Sequence, residues 1–497
     1  MAESHEHELA REMMRRGYSR RDILKFGLRL GLSAAGLSAL LSACGQTPQP
    51  QTSEGQAAAG TTTSQTPSTA AEASPAGLYA EADAEGLTWP QSGVAEPSGP
   101  VEISVAHAWD ATFLERQVQF DRQFMARHPN ITVKSENTPW GDFLQKYLAQ
   151  IAGGSAPDLM YVHFSWAQQL ISQGSVRELD TYIAQASEFK LDDFTKPSLV
   201  SYRREGKLYG IPYDEGPGIL YYNKDIFDKA GVSYPDNSWT LDTLKETALK
   251  LTSGSGPNKI YGLGGLPSAG DALMAPAYLF PFGARYVNEP EETECLLTSP
   301  EAVQAMEWWN EFREKGAVPS PADLETLSWP PFQHGRIAMV LEGTWATPPI
   351  QQNAKFPWDV APWPKGPQAH STYSAGSSYM MPSTSKNQDA AWIYLNEYLS
   401  SSGQNFMWAS TGRGSPSRTS AWDAYLTSKF APANAEVALE ALNNYASHDI
   451  LDQPSAAKVT QKAGAIWDLV VNNQLSVADA LNQVCAEIEP ILKENAA

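Results

Sequence analysis

The chain has 497 residues, 42% of them hydrophobic and 19% charged, enough for several domains around sizeable cores. With 36 Lys+Arg against 56 Asp+Glu the net charge is −20, which argues against nucleic acid or anionic lipid as a partner, since both call for a basic face. Three cysteines are too few for a disulfide-dense scaffold, and no uncharged apolar run reaches the ~18 residues of a membrane-spanning helix.

The N-terminus reads as an address. Residues 1–26 carry the pairs Arg15-Arg16 and Arg20-Arg21, and a Gly/Ala/Ser/Leu-rich stretch follows to Ala43. A basic region, a short apolar region and small residues before a break make a secretory signal. Ser19-Arg20-Arg21-Asp22-Ile23-Leu24-Lys25 resembles a twin-arginine export motif, and Leu41-Ser42-Ala43-Cys44-Gly45 resembles a lipobox with Cys44 as the lipidated residue. The expectation is a signal over 1–43 and a lipid anchor on Cys44. Cys295 and Cys485 then remain, either paired or as two buried thiols.

Residues 46–77 are mostly Gln, Thr, Ser, Pro, Gly and Ala. Such a segment buries too little apolar surface to offset its ordering entropy, so a flexible linker is expected over 44–99 and a folded body from near Pro100. In the body, Val101–Ala106 alternates with period two and predicts a strand. Phe113, Phe120 and Phe124 share one helical face ending before His128-Pro129-Asn130; Ile131–Val133 and Leu159–Val162 predict two more strands. Thr240, Ser299-Pro300-Glu301 and Asn387 mark three helix starts. Alternating strands and helices argue for an α/β fold with ligand at the carboxyl ends of strands.

Catalytic motifs are thin. HExxH, GxxxxGK[ST], GxSxG, EF-hand and CxxC patterns are absent, Ser383–Lys386 matches SxxK without companion motifs, and no histidines of the body lie four apart. No catalytic residue, metal or cofactor is expected. Fifteen tryptophans are more informative. Trp109-Asp110, Trp140 and His163 with Trp166 follow predicted strands, and Trp345 follows a strand-like run ending at Glu342-Gly343-Thr344. An aromatic plate beside a carboxylate suits a sugar: C–H faces stack on the ring and the carboxylate accepts from hydroxyls. Trp308-Trp309, Trp392 and Trp467 lie on predicted helices and read as core.

Several ordered stretches carry a resemblance. They include His128-Pro129-Asn130-Ile131-Thr132-Val133, Gly154–Leu159 and Tyr209-Gly210-Ile211-Pro212-Tyr213. Leu220–Gly231 with Trp239-Thr240-Leu241, Gly335–Met339 with Glu342–Trp345, Ser385–Trp392 and Gly412–Pro416 complete the set. Over about residues 100–492 the chain resembles the extracellular solute-binding lipoproteins of ABC importers, the large sugar-binding family 1 type. The resemblance implies a two-lobed periplasmic-binding-protein-like fold of mainly parallel sheets with flanking helices and a hinge. Its implied lobes are 100–213 plus 341–374 and 214–340 plus 375–497, with crossings near 213–217, 337–342 and 374–377. It places Trp109, Asp110, Trp140, His163, Trp166, Glu342 and Trp345 on one side of a ligand cleft. Asp214 and Glu215 fall at the crossing, with Tyr373, Ser377 and Arg413 opposite, although Arg413 reads equally as a surface residue. The implied protein is a monomer on the outer face of the bacterial cytoplasmic membrane, held by its lipid alone. It passes a carbohydrate to an ABC permease. Rival readings are a polyamine or peptide as ligand, a carbohydrate-active hydrolase, and a receptor that signals to a sensor kinase.

Overall fold

The computed structural model describes residues 87–494 apart from 110, 329 and 448–450. The signal, Cys44 and most of the expected linker therefore lie outside the described residues. In chain order, β1 (Val101–His107), α1 (Ala111–Arg127), β2 (Ile131–Asn137), α2 (Trp140–Ala152), β3 (Leu159–His163), α3 (Phe164–Ser172) and β4 (Gly210–Pro212) begin the first lobe. The chain then passes through β5 (Gly216–Asn223), α4 (Lys224–Ala230), α5 (Leu241–Leu251), β6 (Tyr261–Leu263), α6 (Pro300–Glu314), β7 (Ile337–Gly343), β8 (Trp358–Ala361) and β9 (Thr372–Ala375), which build the second. It returns with β10 (Ser377–Met380), α7 (Gln388–Tyr398) and α8 (Ser401–Met407), and ends in the second lobe with β11 (Ala446–Ser447), α9 (Ala456–Val471) and α10 (Val477–Lys493).

Local chemistry sets these elements. Phe113, Phe120 and Phe124 are wholly buried on one face of α1. Ser299 caps α6 by accepting from the Ala302 amide with Pro300 at the first helical position, and Thr240 caps α5 at the Thr243 amide. Asn387 precedes α7 but leaves it uncapped, donating instead to the Glu102 carbonyl at 3.0 Å.

The sheet orders are β2-β1-β3-β10-β4 in the first lobe and β11-β9-β5-β7-β6 in the second, with β8 also on β5. This corrects two expectations. The segment 341–374 belongs to the second lobe, because β8 and β9 pair with β5; the segment from 377 to about 408 belongs to the first, because β10 inserts between β3 and β4. The crossings at 213–215 and Gly376 agree with expectation, but 337–342 lies wholly within β7, paired with β5 and β6, and crosses nothing. The sheets are also mixed. β1 runs parallel to β2 and β3, but β10 runs against β3 and β4, and β5 against β7 and β9. The chain leaves the first lobe along β4–β5 and returns along β9–β10 in the opposite direction, so β10 meets β4 and β9 meets β5 antiparallel.

The body begins earlier than Pro100. Leu87, Trp89 and Val94 pack on the first-lobe core, the Trp392 indole donates to the Ser92 carbonyl at 2.8 Å, and the Arg127 guanidinium lies 4.0 Å over the Trp89 ring. Cys295 and Cys485 are joined as a disulfide that pins α10 to the loop before α6.

Candidate functional site

A cavity of about 770 Å³ lies between the lobes, within the usual ~300–1,000 Å³ of small-molecule sites. Of the residues expected at the cleft, Trp140, His163, Trp166, Asp214, Glu342, Trp345, Ser377 and Arg413 line it. Sides are exchanged for four of them, in step with the lobe correction. Glu342 and Trp345 come from the second lobe, at the end of β7, while Ser377 and Arg413 stand with the first.

On the first lobe, Trp140 opens α2 with 53% of its surface exposed, which is unusual for so large an apolar group. Its ring lies 5.3 Å from that of Trp166 and 5.7 Å edge-on from His163, and Phe143 backs Trp166 in a stacked pair at 6.0 Å. The result is one aromatic platform on the cleft wall. Burial pushes the His163 imidazole down to about 3, so it is neutral, and its Nδ1 lies 2.7 Å from the Ser165 hydroxyl.

On the second lobe, the Trp345 indole donates from Nε1 to Glu342 Oε1 at 2.9 Å and stacks on Tyr373 at 6.0 Å. The ring folds back over the strand that carries it. A Cβ on Gly343 would fall 2.1 Å from the indole, so only glycine permits this approach. Burial raises Glu342 above the ordinary carboxylate range.

The hinge carries a buried ion pair. Arg413 Nη1 lies 2.9 Å from Asp214 Oδ2, while Asp214 Oδ1 accepts from the Ser377 amide at 2.8 Å. Burial raises Asp214, with Arg413 opposing it. Ser377 donates its hydroxyl to Tyr161 Oη at 2.8 Å, which ties the hinge to the cleft wall.

Three expected residues stand behind the cavity rather than at it. Trp109 is 4% exposed; its indole donates to Gln117 at 3.2 Å and its ring sits 5.1 Å from the Arg413 guanidinium, so it backs that cation. Glu215 is buried and accepts from Thr195 and from Ser374, the latter at 2.8 Å. Tyr373 is buried beneath Trp345. Asp110 lies outside the described residues. Sequence reasoning missed Tyr161, Asp271, Phe332, Gln333, Thr460 and Gln461, which also line the cavity. For Asp271 a signal existed: Ser268 three residues upstream is the spacing of a local turn, and its amide donates to Asp271 Oδ2 at 2.7 Å.

The arrangement suits noncovalent capture. Asp214 and Glu215 point to separate partners, so they form no acid–base pair about a shared bond. Among the described residues no group of three His, Cys, Asp or Glu side chains stands ready to hold a metal.

Two lobes on a multi-strand hinge with an aromatic-walled cavity between them define a periplasmic-type binding protein. The chain belongs to the family of bacterial extracellular solute-binding proteins, whose sequence profile matches residues 104–405. It is accordingly the exported solute-binding component of an ABC transporter. A putative binding protein of Brucella abortus is 31% identical over 312 residues, which span 60% of this chain and 72% of that protein. A lactose-binding protein of Rhizobium radiobacter is 24% identical over 302 residues, 58% of this chain and 68% of that one. Among solved structures, an ABC substrate-binding protein of Listeria monocytogenes in complex with cycloalternan superposes with a TM-score of 0.72 at 24% identity, covering 79% of this chain and 99% of the other. The GacH receptor of Streptomyces glaucescens, solved unliganded and in complex with acarbose, gives 0.68 at 22% identity, covering 80% and 100%.

Proposed function

We propose that this protein binds a sugar or short oligosaccharide between its lobes and hands it, unaltered, to an ABC permease, as a non-enzymatic monomer held to the outer face of the cytoplasmic membrane by lipid on Cys44. The observation that carries the reading is the pairing of aromatic plates with acceptors across one cavity, Trp140 and Trp166 on one wall and Trp345 with Glu342 on the other. Stacking holds the apolar faces of a sugar ring, and the carboxylate accepts its hydroxyl protons. The lactose-binding relative, and the neighbours with bound cycloalternan and acarbose, support carbohydrate as the class. Ligand held by both walls stabilises the closed form, which the permease reads.

Titration calorimetry of the full chain against a panel of mono- and oligosaccharides, polyamines and peptides tests this, with product analysis alongside. Heat with one carbohydrate class and intact sugar afterwards is the expected result. Heat with polyamines alone, or sugar cleavage, refutes it. Loss of lipid labelling and release from membranes on Cys44→Ala tests the anchor.

A further inference from the structure

We infer that Glu342 and Asp271 make the cleft a charge filter, which admits neutral and amine-bearing glycans and turns away those carrying a carboxylate or phosphate. The inference rests on the carbohydrate reading above and narrows it.

Both residues stand on the second-lobe wall of the cavity. In each, one oxygen is already engaged: Glu342 Oε1 accepts from the Trp345 indole at 2.9 Å and Asp271 Oδ2 from the Ser268 amide at 2.7 Å. Among the described residues Glu342 Oε2 takes no hydrogen bond, and Asp271 is met besides by the hydroxyl of the same Ser268, a neutral donor. Neither has a cationic partner among the described residues. Arg413 is the one Lys or Arg among the described residues that line the cavity, and its guanidinium is bound to Asp214 Oδ2 at 2.9 Å. His163, on the facing wall, is neutral. The wall therefore presents two carboxylates with no opposing charge in a site from which closure expels water.

Such a pair has to be compensated by what binds. Hydroxyls can donate to the two carboxylates. A protonated amine does so with charge, and Trp345 beside Glu342 offers it a ring face as well. A carboxylate or phosphate on the ligand meets like charge there at low dielectric. Burial raises both Glu342 and Asp271 above the ordinary carboxylate range, as expected of carboxylates that lack a counter-charge.

The test is calorimetry of the full chain with matched hexose, hexosamine and hexuronic acid series of gluco and galacto configuration, as mono- and disaccharides. The amine and neutral members should bind at least about tenfold more tightly than the acid of the same configuration. In the Glu342→Gln/Asp271→Asn double variant that gap should shrink, with the melting temperature unchanged or raised. Acids binding within about threefold of their neutral partners, or a gap that survives in the double variant, overturns the filter while leaving carbohydrate binding intact. Failure of every sugar to bind overturns the carbohydrate reading and the filter with it.

Discussion

The Asp214–Arg413 pair is the sharpest place to perturb the hinge. The Arg413 side chain is 11% exposed and that of Asp214 7%, so neither ion has much water of its own. Arg413→Met keeps the stem packed near Trp109 and Tyr213 but removes the charge, leaving Asp214 with the Ser377 amide as its hydrogen-bond donor. Breaking a fully buried pair costs about 3–5 kcal/mol; this one borders the cavity, where water can enter the vacated space, so about 2–3 kcal/mol is expected. Asp214→Asn alone should cost a comparable amount by stranding the guanidinium. The double variant should be far milder than the sum of the singles, giving a coupling of about 2 kcal/mol. Urea unfolding of the four corners of this cycle measures it. A coupling under about 0.5 kcal/mol would mean that the pair behaves as a solvated surface contact, and the account of the hinge given above would fall.

Two tryptophans that look alike in sequence should part company in the test tube. Trp109→Ala should lower stability by about 3–5 kcal/mol, as for a buried core aromatic, whereas Trp140→Ala should leave unfolding nearly unchanged and weaken ligand binding; equal effects on stability would contradict the placement of either ring. Glu292 is raised to about 7 and Asp452 to about 6, both chiefly by burial, and the Asp452 amide donates to Glu292 Oε1 at 3.3 Å. A carboxyl raised on folding stabilises while protonated, so its contribution is full below the ordinary value and lost as pH climbs to about 7. The urea midpoint should therefore fall between pH 5 and pH 7.5, and Glu292→Gln should flatten that slope; an unchanged slope refutes the assignment. The Cys295–Cys485 bridge spans a sequence separation of 190, for which the chain-entropy relation gives about 5 kcal/mol as an upper figure. Replacing both residues by alanine, or adding dithiothreitol to the native chain, should lower the unfolding free energy measurably, and an unmoved midpoint counts against it.

Much of both lobes was legible because the signals are local. The alternation of 101–106, the Phe113/Phe120/Phe124 face and the caps at Thr240 and Ser299 all reappear in the structure. What failed was long-range. β10 has only four residues, Ser-Ser-Tyr-Met, with no period of its own, and its place between β3 and β4 is decided by strands more than 150 positions earlier. The lobe assignment of everything around it followed that error. The site was half readable for the same reason. Trp109 and Trp140 both follow a strand, and the sequence gives no sign that the first turns inward onto Gln117 while the second stays on the rim. Asp271, Gln333 and Gln461 meet at the cavity from three distant loops and helices, so no short motif links them.

The interleaving of the lobes also bears on synthesis. Until residue 380 has emerged, β3 lacks its β10 neighbour and β4 has nothing to pair with, so the first lobe presents an open sheet edge for most of the time the chain is being made. The second lobe is likewise unfinished until α10, at the far end, docks its buried Leu481, Val484 and Ile488. The first lobe cannot close its sheet until most of the second has been made, and the second waits on the last helix, so the contacts that complete each are among the most distant in the chain. A nascent chain of this design is exposed to misassociation and proteolysis nearly to its last residue, and a fragment cut at the hinge should yield neither half in native form.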